Sequence, residues 1–479
     1  KAPVTMLTIE LPQGSTMVPR LKQPSAIFDA LSLIHRMRAS PFRDAAFGKW
    51  EHRVNGIPFR GNEYTIPRRL CQGAPLMARV PDGQRHVGFL LPLVEFGGVE
   101  KVALQMARGL KAHGWVPHAF VFDSDDISLT SDWAGVFETT HLLVDPTFSP
   151  WGGGANSYLG TNIPNWAQAG CQGPVLGMLH WLDAAINFHS GAIAGIMGQL
   201  RRMGVKTLNS LHLNDLTAMG RPVGNTYLGL AYEHAFDYFV PCSYQLGDWL
   251  HSMGVPRDKI LVVQNGPGFE IAPEVTARGI AARKARDPSD PLRVLYLGRL
   301  DRQKGIDRLA EVISRSRAEG LNLEWRVLGK ALMVDDALPV PAEVAAVLES
   351  PVVRPEDLAA AYAWADVVVL LSRYEGLPLT VLEAMRAGAV IIATDMGATA
   401  EVVTDGETGI LVPDVTAATD CLQALRILSL DRNTLAAISE KAYAELQNRD
   451  WRTATAPLAR ALGTRVDSCR TKEGGSDVI

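Results

Sequence analysis

The chain has 479 residues, which is too long for one ordinary hydrophobic core, so two or three domains are expected. A hydrophobic content of 47% and a charged content of 20% describe a globular chain and exclude a disordered one. The formal net charge of -4 gives no indication of nucleic-acid binding, and the five scattered cysteines form no C-x-x-C pair or Cys/His cluster that would suggest a metal site.

Cysteine usage and apolar run length also bear on where the protein works. Cysteines that are scattered and odd in number suggest no disulfide framework and are typical of the reducing cytoplasm. The apolar runs fall well short of the roughly 20 residues that a membrane span needs, and no secretory signal pattern is visible. We therefore expect a cytoplasmic protein, either free or bound peripherally to a membrane.

Residues 1–84 differ from the rest of the chain. They are rich in proline, show little periodicity outside a helical pattern at residues 25–37, and carry twelve basic against six acidic residues. Two interpretations stay open. The segment is either a loosely packed basic arm laid over the first domain, or an arm that reaches anionic lipid or an acidic partner.

A first α/β domain is predicted over residues 85–270. Residues 87–92 read as a strand, and a helix follows in which every third or fourth residue is apolar. Between them lie Gly97 and Gly98, which let the backbone approach a ligand and leave amides free for a diphosphate. A tight turn without a ligand is the alternative. Since no G-x-G-x-x-G occurs in the chain, a nicotinamide dehydrogenase is disfavoured.

Two further strands of this domain each end in a histidine. Residues 185–190 contain His189, and residues 205–212 end in His212, with a helix predicted between them. A histidine at the carboxyl end of a parallel strand faces the ligand-binding edge of the sheet. We expect His189 to be structural. For His212, and for Asp215 just behind it, a structural and a functional role both stay open.

A basic loop opens the second α/β domain, predicted over residues 291–446 after a linker at 273–290. Residues 293–297 read as a strand that runs into the loop 298–305. Arg299 offers a planar fork for phosphate oxygens and Lys304 a mobile point charge, so the pair can neutralise a diphosphate without a metal. A solvated loop with local salt bridges is the alternative.

The segment 372–385 carries two carboxylates around a predicted helix start. A buried strand at 366–371 precedes it, Pro378 suits the first helical position, and a second buried strand follows at 390–394. In such a βαβ unit the free N–H groups of the helix start attract phosphate. Glu375 lies in the loop and Glu383 inside the helix, so the two acids cannot have the same role.

These segments, taken in order, resemble the motifs of the retaining GT-B glycosyltransferases of family 4. Residues 375–383 are similar to the family's E-x7-E signature, and residues 298–305 to its G-R-x-x-x-x-K-G loop. The other similar motifs are G-G-x-E-[RK] at 97–101, N-G at 265–266, a glycine and a glutamate at Gly397 and Glu401, and D-G-x-x-G-x-L-V at 405–412. The V-D that usually follows N-G is here Pro267-Gly268. The resemblance covers roughly residues 86–463.

The resemblance implies an α/β fold of the GT-B type, with two facing Rossmann-like domains, a cleft between them and an N-terminal extension. Residues 85–270 would form the acceptor-side domain, and residues 291–446 the nucleotide-sugar domain. A helix within 447–465 would return to the first domain, and residues 466–479 would form a tail. The implied activity is transfer of a sugar from a nucleoside diphosphate to an acceptor hydroxyl, with retention at the anomeric carbon.

The resemblance also assigns roles to individual residues. Glu375 would hold the donor sugar or steady positive charge at its reacting carbon, Glu383 would accept hydrogen bonds from the ribose, and His212 would hold the donor sugar or order the acceptor. The residues expected to bind the donor diphosphate are Arg299, Lys304, Gly97, Gly98, Gly376 and Leu377. No metal and no cofactor beyond the donor substrate are expected. The acceptor would be a glycan, a lipid-linked sugar or a small molecule.

Two alternatives share this architecture, because a fold does not fix a reaction. One is a nucleotide-sugar epimerase or a glycoside phosphorylase, of which the latter would need a pyridoxal lysine. The other is a relative that binds nucleotide or a partner without catalysis. The presence of both acids and both cations argues against the second.

Overall fold

The structure is a computed structural model that describes residues 83–463, except for 93, 95–96, 123–130, 143–156, 159–160, 163–166, 168–171, 217–221, 288, 331–339 and 353. The predicted basic arm and the predicted tail therefore lie outside the described residues, apart from 83 and 84. None of the helices in these ranges is long and apolar enough to cross a membrane.

Within the described residues, the N-terminal half has ten strands, six of which form a parallel sheet, and helices connect the strands of that sheet. Its strands are β1 (Arg85–Leu91), β2 (Trp115–Val121), β3 (Thr139–Leu142), β4 (Ser157–Tyr158), β5 (Thr161–Asn162), β6 (Ala184–Phe188), β7 (Lys206–Leu211), β8 (Asp215–Leu216), β9 (Pro222–Val223) and β10 (Tyr238–Pro241). Its helices are α1 (Gly98–Ala112), α2 (Ser131–Val136), α3 (Gly173–Leu179), α4 (Gly191–Arg202), α5 (Asn225–Ala231) and α6 (Tyr244–Ser252).

Six of these strands form the first sheet, in the order β10-β7-β6-β1-β2-β3, and every pair is parallel. The chain builds the sheet outward from β1 in one direction, through β2 to β3, and then returns to add β6 on the other side of β1. The gap between β1 and β6 is therefore the point where the strand order reverses, and ligands of open parallel sheets bind beyond this point.

The C-terminal half repeats the plan. Its strands are β11 (Leu292–Leu297), β12 (Leu323–Leu328), β13 (Leu348–Glu349), β14 (Val367–Leu370), β15 (Val390–Thr394) and β16 (Ile410–Val412). Its helices are α7 (Pro273–Ala285), α8 (Ile306–Ala318), α9 (Ala342–Ala345), α10 (Pro355–Trp364), α11 (Leu379–Arg386), α12 (Ala417–Leu430), α13 (Arg432–Leu446) and α14 (Trp451–Gly463). The second sheet has the order β13-β12-β11-β14-β15-β16, again all parallel, and reverses between β11 and β14.

The buried strands explain why the sequence pattern was readable. Residues of β14 and β15 are all buried, as expected for parallel strands covered by helices on both faces. The two predicted sheets, and with them the α/β class, are confirmed. Gly388 ends α11 with φ 68°, a left-handed conformation that favours glycine after a helix. Helix α11 begins at Leu379, one residue later than predicted, so Pro378 is the residue before the helix and not its first residue. Pro378 has ψ 128°, an extended conformation.

The segment predicted as a linker contains the helix α7, which is joined to the second sheet by one buried side chain. Arg283 donates hydrogen bonds to the carbonyls of Ala365, Ala387 and Tyr362, at 2.8, 3.1 and 3.1 Å. Burial lowers the pKa of this guanidinium to about 10, and Asp366 opposes that shift. The arginine therefore satisfies three carbonyls that would otherwise be buried without a donor.

The last helix, α14, packs on the first half of the chain. The Trp451 indole donates to the carbonyl of Pro267 at 2.8 Å, and His113 Nε2 lies 2.8 Å from the carbonyl of Arg452. A β-carbon at Gly109 in α1 would lie 2.4 Å from Thr455 Oγ1. The close approach of α1 and α14 thus depends on a glycine at this position.

Candidate active site

The carboxyl-terminal edges of the two sheets meet at Gly376 and His212. A β-carbon at Gly376 would lie 1.6 Å from the backbone oxygen of His212 and 3.2 Å from Cys242 Sγ. The Cys242 thiol donates to the same carbonyl at 3.2 Å. The loop that follows β14 is therefore in direct contact with the strand ends of the first sheet.

Two loops of the second sheet bring the predicted cation and the predicted catalytic acid together. Lys304 follows β11 and Glu375 follows β14, the two strands between which the order reverses. Lys304 Nζ lies 2.6 Å from Glu375 Oε1, and Ser372 Oγ donates to the same oxygen at 2.6 Å. The side chains are 18% and 8% exposed. Two donors therefore fix the orientation of the Glu375 carboxylate.

Arg299 lies in the same loop as Lys304 and is also held by neighbours. Its guanidinium is 3.2 Å from the Asp301 carboxylate and hydrogen-bonds to Gln303. Asp301 in turn accepts the Lys304 backbone N–H at 2.9 Å, and Gln303 donates to the carbonyl of Tyr374 at 3.4 Å. Arg299 remains 31% exposed. Both predicted phosphate-binding cations thus converge on the loop that carries Glu375, each paired with one carboxylate.

The backbone around Gly376 and Leu377 is tightly constrained. The Gly376 carbonyl accepts from the Ala398 N–H at 2.8 Å, and the Leu377 carbonyl accepts from Asn265 Nδ2 at 2.8 Å. Gly397 has φ 57°, and a β-carbon there would lie 2.0 Å from the Glu375 carbonyl. This loop conformation therefore requires glycine at two positions.

Cys242 lies buried beside this loop, where a β-carbon at Gly376 would be 3.2 Å from its sulphur. Burial raises the pKa of the Cys242 thiol to about 12. The thiol is therefore protonated at neutral pH and acts here as a small hydrogen-bond donor to the His212 carbonyl.

Glu383 lies apart from Glu375, in a different set of contacts. Its side chain is 1% exposed, and Tyr362 donates to Oε2 at 2.7 Å. Burial raises the pKa of Tyr362 well above its ordinary value, and the negative charge of Glu383 adds to this. Oε1 has no hydrogen-bond partner among the described residues, and Lys101 Nζ is 3.7 Å away. A β-carbon at Gly268 would come within 2.4 Å of Oε1.

The two glycines after β1 have different surroundings. Gly97 precedes α1, and a β-carbon there would lie 2.1 Å from Glu100 Oε2, so the Glu100 carboxylate occupies that space. Gly98 is exposed, and a β-carbon there would meet no described atom within 4 Å. The end of the Glu100 side chain could move aside, so packing within the described structure does not require glycine at either position.

His212 is buried between two aromatic rings at the end of β7. The ring centroids of Phe188 and His189 lie 5.9 and 5.1 Å from its own, and its Nε2 is 3.3 Å from Ser210 Oγ. Burial holds the pKa of His212 well below its ordinary value, and His189 lowers it further. A neutral imidazole is thus favoured. Asp215 begins β8.

Glu401 has a clear contact that the sequence did not reveal. Its carboxylate accepts the backbone N–H groups of Tyr244 and Gln245, at 3.1 and 2.6 Å, at the start of α6. Gln264 Nε2 donates to it at 2.6 Å. A carboxylate at a helix N-terminus is favoured by the helix dipole. The only signal in the sequence was its place in the motif at Gly397 and Glu401.

Half-buried histidines with lowered pKa values should make stability depend on pH. Burial lowers the pKa of His141 and of His189 to about 4, against an ordinary 6.5. Below pH 6.5 the unfolded chain binds protons that the folded chain does not, so stability should fall from pH 6.5 towards pH 4. We expect the free energy of unfolding in urea to decrease between pH 7 and pH 5, with a smaller decrease in a His141→Gln variant. An unchanged slope in that variant would contradict this.

Residues 278–445 match the protein-family model described as glycosyl transferases group 1. Among curated proteins, the chain is 26% identical over 289 residues to the putative colanic acid biosynthesis glycosyltransferase WcaL of Escherichia coli K12, covering 54% of this chain and 65% of that protein. It is 32% identical over 215 residues to the D-inositol 3-phosphate glycosyltransferase of Paenarthrobacter aurescens TC1, covering 43% and 52%. The chain spans less than two thirds of either relative.

Solved structures agree on the fold. Anabaena HepE, in complex with UDP and glucose, superposes with a TM-score of 0.60 at 16% identity, over 78% of this chain and 98% of HepE. The pneumococcal O-GlcNAc transferase GtfA, in complex with UDP and GlcNAc, gives a TM-score of 0.57 at 13% identity, over 79% and 98%. The chain therefore has the GT-B fold, and its residues 278–445 match the glycosyl transferases group 1.

Proposed function

We propose that this chain is a glycosyltransferase that moves a sugar from a nucleoside diphosphate to an acceptor hydroxyl, with retention at the anomeric carbon. The observation that carries the proposal is the contact of Lys304 with Glu375, beside Arg299, at the strand ends of the second sheet. Two cations beside one carboxylate suit a reaction in which the leaving group gains negative charge and the reacting carbon gains positive charge. The match of residues 278–445 to glycosyl transferases supports the same activity.

Arg299 and Lys304 would bind the donor diphosphate. Each is paired with a carboxylate of its own domain, and these ion pairs hold the two cations in place. Diphosphate oxygens would then share these donors and receive charge stabilisation as the bond to the sugar breaks. Exposed Gly98 would let the donor approach the first sheet closely, with Gly97, Gly376 and Leu377 shaping the backbone around it.

Retention would follow from a front-face displacement. Retaining glycosidases place two carboxylates about 5 Å apart around the scissile bond. Here Glu375 contacts Lys304 and Ser372, whereas Glu383 contacts Tyr362, so the two acids do not form such a pair. The acceptor oxygen would bond to the anomeric carbon as the carbon–phosphate oxygen bond breaks. The acceptor proton would pass to the departing phosphate oxygen, while Glu375 steadies the positive charge.

Glu383 would bind the ribose of the donor. Its Oε1 is buried and accepts no hydrogen bond among the described residues, which leaves an acceptor for a ribose hydroxyl. A carboxylate oxygen buried without a hydrogen bond is costly, so a ligand hydroxyl there would be favoured. The ammonium group of Lys101, from the first half of the chain, lies near enough to support the charge.

His212 would order a sugar hydroxyl from the first sheet. As a buried neutral imidazole, it can donate or accept according to its tautomer. The relatives are named for colanic acid biosynthesis and for transfer to inositol phosphate. We accordingly propose a glycan, lipid-linked or small-molecule acceptor, and a cytoplasmic protein that is either free or peripherally bound to a membrane.

Variants of the two cations test the donor site. A thermal-shift panel of UDP-, GDP- and ADP-sugars first identifies the donor, because a ligand that binds only the folded state raises the melting temperature. Lys304→Ala and Arg299→Ala are each expected to weaken binding of the matching nucleoside diphosphate about tenfold or more, as measured by titration calorimetry.

The matched control for these variants is Arg302→Ala, which removes an exposed cation from the same loop. It should leave the affinity within about twofold if the effect is local and not a matter of net charge. Unchanged affinity in both Lys304→Ala and Arg299→Ala would remove the proposed donor site. Sugar nucleotide turnover without any transfer product would instead favour an epimerase.

A further inference from the structure

His189 has a backbone conformation that the other described non-glycine residues do not share. Its φ is 63°, in the left-handed region that a residue with a β-carbon seldom adopts. The residue directly follows β6 and precedes α4. Such strain persists only where the surrounding structure imposes it, and it concentrates at sites that bind ligands.

The neighbours of His189 impose this turn. Asn187 is fully buried, and its Oδ1 accepts the Ser190 backbone N–H at 3.0 Å. Ser190 Oγ in turn accepts the Ile193 backbone N–H at 3.4 Å and caps α4. Asn187 Nδ2 is 3.5 Å from Asn225 Oδ1 in the buried layer beneath. Contacts on both sides of His189 therefore fix the path of the chain through it.

The position of His189 in the sheet is where a ligand is expected. β6 pairs with β1, and the strand order reverses between these two strands. β1 leads to the loop with Gly97 and Gly98, so that loop and His189 lie at the same edge, on either side of the reversal. Ligands of doubly wound sheets bind beyond this edge.

The imidazole of His189 has an unused polar atom. Its Nε2 is buried and has no hydrogen-bond partner among the described residues. The ring lies 5.1 Å from the ring of His212, centroid to centroid, at an interplanar angle of 37°. A buried polar atom without a partner is costly, and a strained backbone that presents it adds to that cost. Packing alone gives no reason for both features at one residue.

We propose that His189 is a second sugar-binding residue, whose Nε2 forms a hydrogen bond with a hydroxyl group of the sugar that lies between the two sheets. This inference rests on the proposed glycosyltransferase function and adds a residue to it. The hydroxyl belongs either to the transferred sugar or to the acceptor, since both must approach the same strand ends. Sequence reasoning assigned His189 a structural role, because φ and the free Nε2 cannot be seen in a pattern of residues.

Two variants separate a binding role from a structural one. His189→Gly removes the imidazole and tolerates φ 63° without strain, so its melting temperature should equal or exceed that of the wild type. His189→Asn also tolerates this backbone, keeps a polar group and shortens the reach. If the imidazole were needed for packing, both variants would lose stability and nucleotide affinity together.

The measurements compare UDP, GDP and ADP with the corresponding glucose or mannose nucleotides. For the nucleotide that the wild type binds, His189→Gly should bind the free diphosphate within about twofold of the wild type. The hydroxyl can belong to the donor sugar. In that case the gain in affinity of the sugar nucleotide over the free diphosphate should be about tenfold smaller in His189→Gly than in the wild type. If the hydroxyl is the acceptor's, donor hydrolysis is unchanged and transfer to the acceptor falls about tenfold. His189→Asn should show the same pattern with a smaller loss.

A set of monodeoxy sugars identifies the hydroxyl. For the wild type, removal of one particular hydroxyl should lower affinity or rate. For His189→Gly, removal of the same hydroxyl should have no effect, whereas removal of any other hydroxyl should have the same effect as in the wild type. Equal sugar affinity, equal transfer and the same deoxy profile in the wild type and in both variants would overturn the inference while leaving the proposed function intact. A wild type that binds none of the sugar nucleotides would overturn the proposed function and the inference with it.

Discussion

Glu375→Gln is expected to lower kcat by about 100-fold or more, the scale seen when one stabilising group is lost from a preorganised site. The substitution keeps the shape of the side chain and leaves an oxygen for Ser372 and Lys304, which both lie 2.6 Å from Oε1. It removes the negative charge that would face the reacting carbon. Steady-state kinetics with the donor identified by thermal shift would measure kcat and KM separately.

Glu383→Gln is the matched control for that variant, because it removes the same charge from the same loop-helix segment. A ribose contact is about equally strong before and during the reaction, so Glu383→Gln should mainly raise KM. An exchange of the two signatures, or full turnover in Glu375→Gln, would show that the wrong carboxylate has been assigned to the chemistry.

Gly376→Ala is expected to destabilise the protein and to remove activity with it. The added β-carbon would lie 1.6 Å from the backbone oxygen of His212, which cannot move aside as a flexible side chain could. Overpacking in a close-packed region typically costs about 1–3 kcal/mol, and occasionally more. Here the contact joins the two sheets, so the clash should also displace Glu375, the preceding residue. Urea unfolding followed by circular dichroism would measure the loss.

Gly135→Ala provides the comparison for that loss. Gly135 lies in α2, and a β-carbon there would meet no described atom within 4 Å. Its free energy of unfolding should stay close to that of the wild type or increase slightly, because alanine favours a helix more than glycine does. If Gly376→Ala is as stable as Gly135→Ala, the two sheets do not make the close contact described above.

The elements of the second sheet were readable from the sequence because each is a local pattern. β14 and β15 are continuous apolar runs, and Gly388 marks the end of the helix between them with a conformation that favours glycine. The same local signals located the loops after β11 and β14. The helix boundary at Pro378 was wrong by one residue, since proline is compatible both with the first helical position and with the extended residue before it.

Contacts between distant segments could not be predicted in this way. Lys304 and Glu375 are 71 residues apart, and their pairing depends on the reversal of strand order between β11 and β14. The contact of Glu401 with the start of α6 spans 156 to 157 residues and depends on how the two halves face each other. Residue types and spacing carry no information on that orientation.

The three carbonyls that Arg283 satisfies bear on where the chain can be divided for expression. A fragment that begins after residue 290 would lack α7 and leave the carbonyls of Ala365, Ala387 and Tyr362 buried without this donor. At the other end, α14 packs on α1 of the first half. A fragment that kept α14 but lacked the first half would expose Trp451, which is buried in the full chain. A self-contained fragment that holds the second sheet should accordingly begin at Pro273 and end after α13, before Trp451.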